Sequence, residues 1–391
     1  MSKESMIIIN AGSSSIKFKL FDKATVADFS YGQITGIGTE KVKMVVKKSE
    51  DGSVVKEEIL DNKLSRDDIL VHLITTLTTI YSDIKIASAG HRIVHGADKY
   101  IEPTVVNAEV ITFLKSIEHL SPIHLPHNIR PMEVLQAKFP DIKQVACFDT
   151  AFHVASNPHH TRLYAIPREL SEKDKIVRYG FHGISYQYIA QNLKENYPEL
   201  YKGKVVICHL GAGASLCALK EGKSFTTTMG FTPLEGLVMG SRTGDIDAGI
   251  LLHLLNNKGY SVKELTDMLY YKSGVLGLSG ISSDFYVLET SNEPAAKEAL
   301  EVYNYNLVKS IGSMIAVMGG VDAMVFTAGV GENSRGARKY VAESFAYLGV
   351  ELDEALNGKA EVITKSSSKV KMLVLPTNEE LMIAESVAKL I

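Results

Sequence analysis

What this sequence has little of narrows its function early. It has three cysteines, Cys147, Cys208 and Cys217, an odd number and widely spaced. Such usage fits a reducing compartment better than a disulfide framework. Cys208 and Cys217 flank one turn and would face each other across it, but packing is the plainer role for all three. No basic run is present, and the net charge of −3 gives no electrostatic case for nucleic acid. No stretch approaches the length of a membrane span, and the apolar run after Met1-Ser2-Lys3-Glu4-Ser5 is too short for a signal sequence. The expectation is a cytoplasmic protein with no nucleic-acid and no membrane partner. Several motifs are missing as well. Gly222-Lys223-Ser224 ends like a Walker loop, but Cys217 stands where the first glycine belongs. Neither glycine turn reads G-x-G-x-x-G, which disfavours a dinucleotide fold, and there is no zinc spacing and no G-x-S-x-G elbow.

What is there is ordinary in bulk and specific in detail. Hydrophobic residues make up 45% and charged residues 22% of 391, enough for two domains with substantial cores. Ile7-Ile8-Ile9 reads as a buried strand, and Ile16, Phe18 and Leu20 alternate with Lys17 and Lys19 as a second strand with one apolar face. Between them Asn10-Ala11-Gly12-Ser13-Ser14-Ser15 offers backbone N–H groups and hydroxyls to an anion, with Lys17 adding charge. Alone, this is as well read as an ordinary hairpin. About half the chain later, Val205-Val206-Ile207-Cys208-His209-Leu210 runs into Gly211-Ala212-Gly213 and a second apolar strand, Ala214 to Leu219. A half-length repeat of a strand–turn–strand anion loop suggests two related domains and phosphoryl transfer.

Further segments end in polar clusters. Ile84 to Ala89 is a strand ending at Gly90-His91-Arg92-Ile93-Val94-His95-Gly96, where basic residues around glycines suit an anion. His91 and His95 lack a third metal ligand, so packing or hydrogen bonding is preferred for them. Helices are expected from Asp67 to Tyr81, through Met132, Val134 and Leu135 after the proline-bracketed loop Ser121 to Asn128, from Tyr186 to Asn196, from Ile250 to Leu255, and from Ala299 to Met318 before Gly319. Val145 to Phe148 is a short strand delivering Asp149, a catalytic position or, more commonly, a helix N-cap. The glycine-rich stretch Met229 to Asp247 has the length of a site-lining loop. Met324 to Ala328 followed by Gly329-Val330-Gly331-Glu332-Asn333 reads as strand, tight glycine turn and helix N-terminus, a phosphate platform. Glu379 and Glu380 open the final helix, where acidic residues also simply suit the helix dipole.

Six stretches, in order, resemble the acetate kinase family of the actin, sugar-kinase and heat-shock ATPase superfamily. They are Asn10 to Ser15, Gly90-His91-Arg92, Phe148 to His153, Arg178-Tyr179-Gly180-Phe181-His182-Gly183, Gly240-Ser241-Arg242-Thr243-Gly244-Asp245, and Thr327 to Asn333. The resemblance implies an α/β chain of two similar actin-like ATPase domains with a cleft between them, residues 1–150 plus 380–391 and residues 151–379. It implies transfer of the ATP γ-phosphoryl group to acetate, giving acetyl phosphate and ADP, and a homodimer. By the resemblance, Asn10 and Glu379 hold Mg²⁺ (or Mn²⁺), and Lys17 lies near the donor phosphates. Arg92 and Arg242 clamp acetate and the phosphoryl group, His182 hydrogen-bonds it, and Asp149 is the essential carboxylate. His209, Leu210, Gly211, Ala212 and Gly213, then Asp284, Phe285 and Tyr286, then Gly329, Val330, Gly331, Glu332 and Asn333 match nucleotide-contacting segments. His124 matches another active-site histidine, and the acyl pocket corresponds to Val94, Ile123, Phe181 and Pro233. Three positions depart from the family's usual residues: Ala212 for Asn, Tyr286 for Arg, and Ala248 for Pro. The rival readings are a propionate or butyrate kinase of the same family and a non-catalytic nucleotide-binding switch. Arg92, Arg242, Asp149 and His182 argue against the switch, which has no need of an acyl-phosphate clamp.

Overall fold

A computed structural model describes residues 3–391; residues 1 and 2, where the expected first domain begins, lie outside the described residues. The chain divides into two compact units, one of the described residues up to Ala151 with Asn378–Ile391, the other Phe152–Thr377.

In unit 1 the strands are β1 (Lys3–Ala11), β2 (Ser15–Asp22), β3 (Asp28–Thr35), β4 (Val42–Lys48), β5 (Val54–Leu60), β6 (Ile84–Ile93), β7 (Thr104–Val105) and β8 (Lys143–Phe148). They form one sheet in the order β5-β4-β3-β2-β1-β6-β8-β7, in which β1 to β5 run as an antiparallel meander and β6 and β8 are parallel to β1. The β1–β2 register pairs Ile7 with Leu20, Ile9 with Phe18 and Ala11 with Ile16, so all six share one face. That face buries against Ile69, Leu70, Leu73, Ile74 and Leu77 of the helix Arg66–Ile80. Each buried aliphatic side chain contributes about 1.5–3 kcal/mol, which makes this stripe outweigh the helix's several threonines. A capping box between Ser65 and Asp68 starts the helix. Ile8 points to the opposite face, where the closing helix Glu379–Leu390 packs on β1, β6 and β8.

One sequence expectation changes here. The strand does not end at Gly90: β6 continues through Gly90-His91-Arg92 to Ile93. Gly90 is not an anion-loop glycine. A Cβ on it would lie 2.5 Å from Ile383 Cγ2, 2.8 Å from Ile8 Cδ1 and 2.9 Å from Val387 Cγ2, so its role is to let the closing helix approach the sheet.

Unit 2 has β9 (Lys204–Leu210), β10 (Ala214–Lys220), β11 (Lys223–Thr227), β12 (Ala323–Thr327) and β13 (Lys371–Val374), ordered β11-β10-β9-β12-β13. This repeats β3-β2-β1-β6-β8: an antiparallel meander of three strands, then two strands parallel to the first of them. The half-length repeat in the sequence is therefore a repeat of topology. Tyr186, Ile189 and Leu193 of the helix Gly183–Asn196 bury against Val205, Ile207, Val325 and Leu373. The long helix Pro294–Met318 starts on proline and ends at Gly319, whose φ of 73° is the left-handed C-cap. Cys208 pairs across the hairpin with Leu216, and Cys217 with Ile207, so the two thiols project to opposite faces and cannot meet. All three cysteines are free and buried.

Candidate active site

Unit 1 builds its polar cluster at the ends of β1, β6 and β8. The first glycine turn closes with Gly12 N–H donating to Ser15 O at 2.8 Å. Behind it, Arg66 donates to the carbonyls of Gly12, at 2.8 Å, and Ser13. Asn128 splints the turn to the end of β6: its Nδ2 donates to Ala11 O at 2.7 Å and its Oδ1 accepts from Val94 N–H at 2.9 Å. The sequence reading missed both residues. Arg66 carried a signal, since a cation in a helix's first turn opposes the dipole and needs a local reason. Asn10 and Lys17 are cross-strand partners just inside the turn.

Arg92, on β6, is the centre of the cluster. Its Nε donates to Asp149 Oδ1 at 3.1 Å and its Nη2 to Asp149 Oδ2 at 2.9 Å, while its Nη1 lies 2.6 Å from Glu379 Oε2. Asp149 is thus a buried ion-pair partner rather than a helix cap. Burial works against the charge on Arg92, but the two carboxylates more than offset it and hold its pKa above the usual value. Burial also pushes Glu379 up to about 7; Arg92 and Lys17 oppose that rise, and Asp149 and Glu380 add to it. His91 is taken up elsewhere: it is buried with Nε2 2.9 Å from Gln144 Oε1, a structural hydrogen bond. Val94, Ile123 and His124 are half-buried, His124 standing at the N-cap of the helix Leu125–Lys138.

Unit 2 gathers a second cluster on its own glycine turn. A Cβ on Gly213 would lie 3.5 Å from His182 Nε2 and 3.6 Å from Arg242 Nη1, so both cationic-type side chains converge there. His182 holds a left-handed backbone, φ 59°, at the N-cap of the helix Gly183–Asn196. For a non-glycine residue this costs on the order of 1–3 kcal/mol and marks a constrained position. Its ring stacks on His209 at 4.2 Å and 21°, and its Nδ1 is 2.9 Å from Ser215 Oγ. His209 Nδ1 is bound at 2.8 Å by Ser185 Oγ, which also reaches Thr377 Oγ1 at 2.9 Å. Arg242 differs from Arg92. Nη1 donates to Pro233 O at 3.1 Å and the guanidinium lies 6.0 Å from the Tyr270 ring, but among the described residues it has no carboxylate partner. Burial lowers its pKa, opposed by Tyr270 and Tyr271.

The preceding motif is braced from below. Gly180 is left-handed at φ 77°, and a side chain there would strike His153 and Thr227. Buried His153 donates through Nε2 to Phe181 O at 2.9 Å, and Arg178 pairs with Glu235 at 2.6 Å. Phe181 and Pro233 are both buried.

Of the segments expected to touch a nucleotide, some side chains are in the core. Leu210 is fully buried, and Phe285 packs edge-on against Tyr303 at 4.6 Å, so each can offer only backbone. Ala212 is exposed, its carbonyl accepting from Gly240 N–H at 3.2 Å. Tyr286 is 73% exposed, above Asp284, which caps its helix by accepting Tyr286 N–H at 2.9 Å. The glycine turn expected after β12 is not a turn: Gly329, Val330, Gly331, Glu332 and Asn333 lie within a short helix, Ala328–Asn333. The left-handed residue there is Ala328, φ 64°. No heavy atom lies within 4 Å of a Cβ placed on Gly329, so the space is open there. Asn333 closes the helix on Gly329 O at 2.8 Å, and fully buried Arg338, another residue the sequence reading missed, donates to Gly331 O at 2.7 Å. Ala248 occupies the first turn of the helix Ala248–Lys258, where Asp247 accepts Gly249 N–H at 2.8 Å; the cap supplies the start that proline would otherwise favour.

Comparison with known proteins covers the whole of this arrangement. The model of the acetokinase family matches residues 5–385. An acetate kinase of Rhodopseudomonas palustris is 42% identical over 393 residues, with 98% of each chain covered, and one of Rickettsia typhi is 40% identical over 390 residues, with 99% of each covered. Among solved structures, a propionate kinase of Francisella tularensis aligns with TM-score 0.92 at 35% identity over 100% of both chains. An acetate kinase of Porphyromonas gingivalis aligns with TM-score 0.89 at 34% identity over 99% of both. The repeated meander, the doubly paired arginine on β6, and the histidine and arginine at the second glycine turn thus sit in a chain that belongs to the acetokinase family.

Proposed function

We propose that this protein is an acetate kinase, transferring the γ-phosphoryl group of ATP to the carboxylate of acetate, reversibly, to give acetyl phosphate and ADP. The observation that carries the reading is Arg242, a largely buried cation with no carboxylate partner among the described residues, beside His182 at the Gly211–Gly213 turn. A buried charge without a counter-ion is costly, and an anionic ligand relieves that cost. A carboxylate acceptor is already a nucleophile at neutral pH, so the reaction asks for charge stabilisation rather than a base. Arg242 and His182 are the proposed donors to the phosphoryl oxygens, and Arg92, oriented by Asp149 and Glu379, the proposed holder of the acceptor carboxylate. Val94, Ile123, Phe181 and Pro233 are the proposed apolar contacts of the acyl chain, with His124 beside Ile123.

Mg²⁺ (or Mn²⁺) is proposed on Asn10 and Glu379. Their oxygens are the hard donors this ion takes, and among the described residues no three His, Cys, Asp or Glu side chains form a complete cage. That fits an ion whose remaining ligands are phosphate and water. Bound there, it would neutralise charge on the nucleotide phosphates. The donor is proposed as ATP, contacted by Lys17, by the Gly211–Gly213 turn with His209, by Asp284 and Tyr286, and by the Gly329–Asn333 helix.

We further infer a homodimer in the cytoplasm. The helix Ala248–Lys258 buries none of its residues although Ile250, Leu251, Leu254 and Leu255 share one side of it, a face that suits a second copy. No described helix is long and apolar enough to cross a membrane, and the free thiols suit a reducing compartment. The propionate kinase among the structural relatives makes propionate the second acceptor to test. A coupled assay with acetate, propionate and butyrate, each against ATP and pyrophosphate, is expected to show highest kcat/KM for acetate with ATP. Absence of turnover on any of the three acids would overturn the proposal.

A further inference from the structure

We infer that Ser215 and Tyr186 are positioning residues that fix the proton of neutral His182 on Nε2, making it a hydrogen-bond donor toward the Gly211–Gly213 turn; this rests on the proposed role of His182 in phosphoryl transfer. The chain of contacts is short. Tyr186 Oη bonds Ser215 Oγ, and Ser215 Oγ lies 2.9 Å from His182 Nδ1. Tyr186 and Ser215 are both fully buried, and each has its hydroxyl partners within this chain.

Three arrangements of the hydrogens exist. If His182 Nδ1–H donates to Ser215 and Ser215 donates to Tyr186, the tyrosine hydrogen has no acceptor. If Nδ1–H and the tyrosine both donate to Ser215, the serine hydrogen has none. Only when Tyr186 donates to Ser215 and Ser215 donates to an unprotonated Nδ1 is every buried donor used. A buried donor left unmatched costs about 1–3 kcal/mol, enough to make the third arrangement dominate. Desolvation holds the Tyr186 pKa well above its ordinary value, which keeps its hydrogen in place. The proton of neutral His182 is then on Nε2, the atom 3.5 Å from a Cβ placed on Gly213. Stacking on His209 and the left-handed backbone fix the ring plane, so the donor direction is set before any ligand arrives. A general-base role for His182 would need the opposite tautomer at the same atom.

The test reads the proton directly. Full-length protein carrying ¹⁵N-imidazole histidine, with the His182 signals assigned by their loss in His182→Asn, is expected to show a protonated Nε2 and an unprotonated Nδ1 at pH 8. In Ser215→Ala the donor that holds Nδ1 unprotonated is gone, so an Nδ1–H population should appear. There kcat should fall about tenfold, the worth of one hydrogen bond, with KM for acetate and ATP little changed. A wild-type His182 protonated on Nδ1 would overturn the inference without any variant. An unchanged tautomer and kcat in Ser215→Ala would do the same. The spectroscopic result decides the tautomer even if the unmodified protein phosphorylates no short carboxylate, the outcome that would instead overturn the proposed function.

Discussion

Replacing Gly90 by alanine tests whether the closing helix is seated on the sheet by a missing side chain. The added methyl would meet Ile383 Cγ2 at 2.5 Å, Ile8 Cδ1 at 2.8 Å and Val387 Cγ2 at 2.9 Å. All three belong to β-branched side chains held in a buried layer, so none can swing away cheaply. Overpacking of this kind costs about 1–3 kcal/mol. For a domain of 150–250 residues that lowers Tm by about 2–4 °C per kcal/mol. The closing helix also delivers Glu379 to Arg92 at 2.6 Å, so its displacement should lower kcat/KM for acetate as well. Thermal unfolding followed by circular dichroism, with steady-state kinetics on the same samples, measures both. Ile383→Ala removes the nearest methyl and alone opens a cavity worth about 2–5 kcal/mol. Combined with Gly90→Ala it should recover part of the loss, a coupling of about 0.5–3 kcal/mol. If Gly90→Ala is as stable and active as the parent, or if the two changes are simply additive, the close-packing argument is wrong.

Other expectations follow from single sites. Arg242→Ala should lower kcat by roughly 10³-fold or more with little change in the unfolding midpoint, since arginines that stabilise phosphoryl-transfer charge carry effects of that size; near-normal turnover would remove it from the reaction. Val94→Ala should raise propionate relative to acetate in kcat/KM, by no more than about 1–3 kcal/mol per methylene accommodated, and an unchanged ratio would place the acyl contacts elsewhere. Tyr286→Arg should strengthen ATP over GTP through KM, because tyrosine leaves a stacking face and one hydroxyl where a guanidinium adds donors; efficient use of pyrophosphate by the unmodified protein, with ATP inert, would refute the nucleotide assignment. Burial pushes His91 and His153 each down to about 4 from 6.5. The folded state therefore binds fewer protons than the unfolded one between those values, so stability is complete above about pH 6.5 and falls as pH drops, by about 2 kcal/mol per histidine at pH 5. Urea midpoints that are equal at pH 7 and pH 5 would contradict this.

Much of this protein was legible one segment at a time. Alternation in β1 and β2, the stripe of the helix Arg66–Ile80 and the Gly319 stop of the long helix are local properties, decided by period and cap chemistry. Six motifs in one order were enough to point to the family. Local reading went wrong where a glycine's reason lay elsewhere in the chain. Gly90 looks like a loop residue until Ile383 and Val387, nearly three hundred residues later, are packed on it. Gly329 and Gly331 look like a turn, yet the left-handed strain sits on Ala328. The residues that hold the site in place were invisible for the same reason. Arg66 at the first glycine turn, Asn128 between Ala11 and Val94, Arg338 on Gly331, and Ser215 with Tyr186 behind His182 each act on a backbone or ring that only folding brings near. Sequence alone determined which chemical groups are available and which strands and helices carry them, because those depend on neighbours within a few residues. Tertiary structure alone decided which arginine is neutralised by carboxylates and which, among the described residues, is left without one, because that depends on charges brought together from distant parts of the chain.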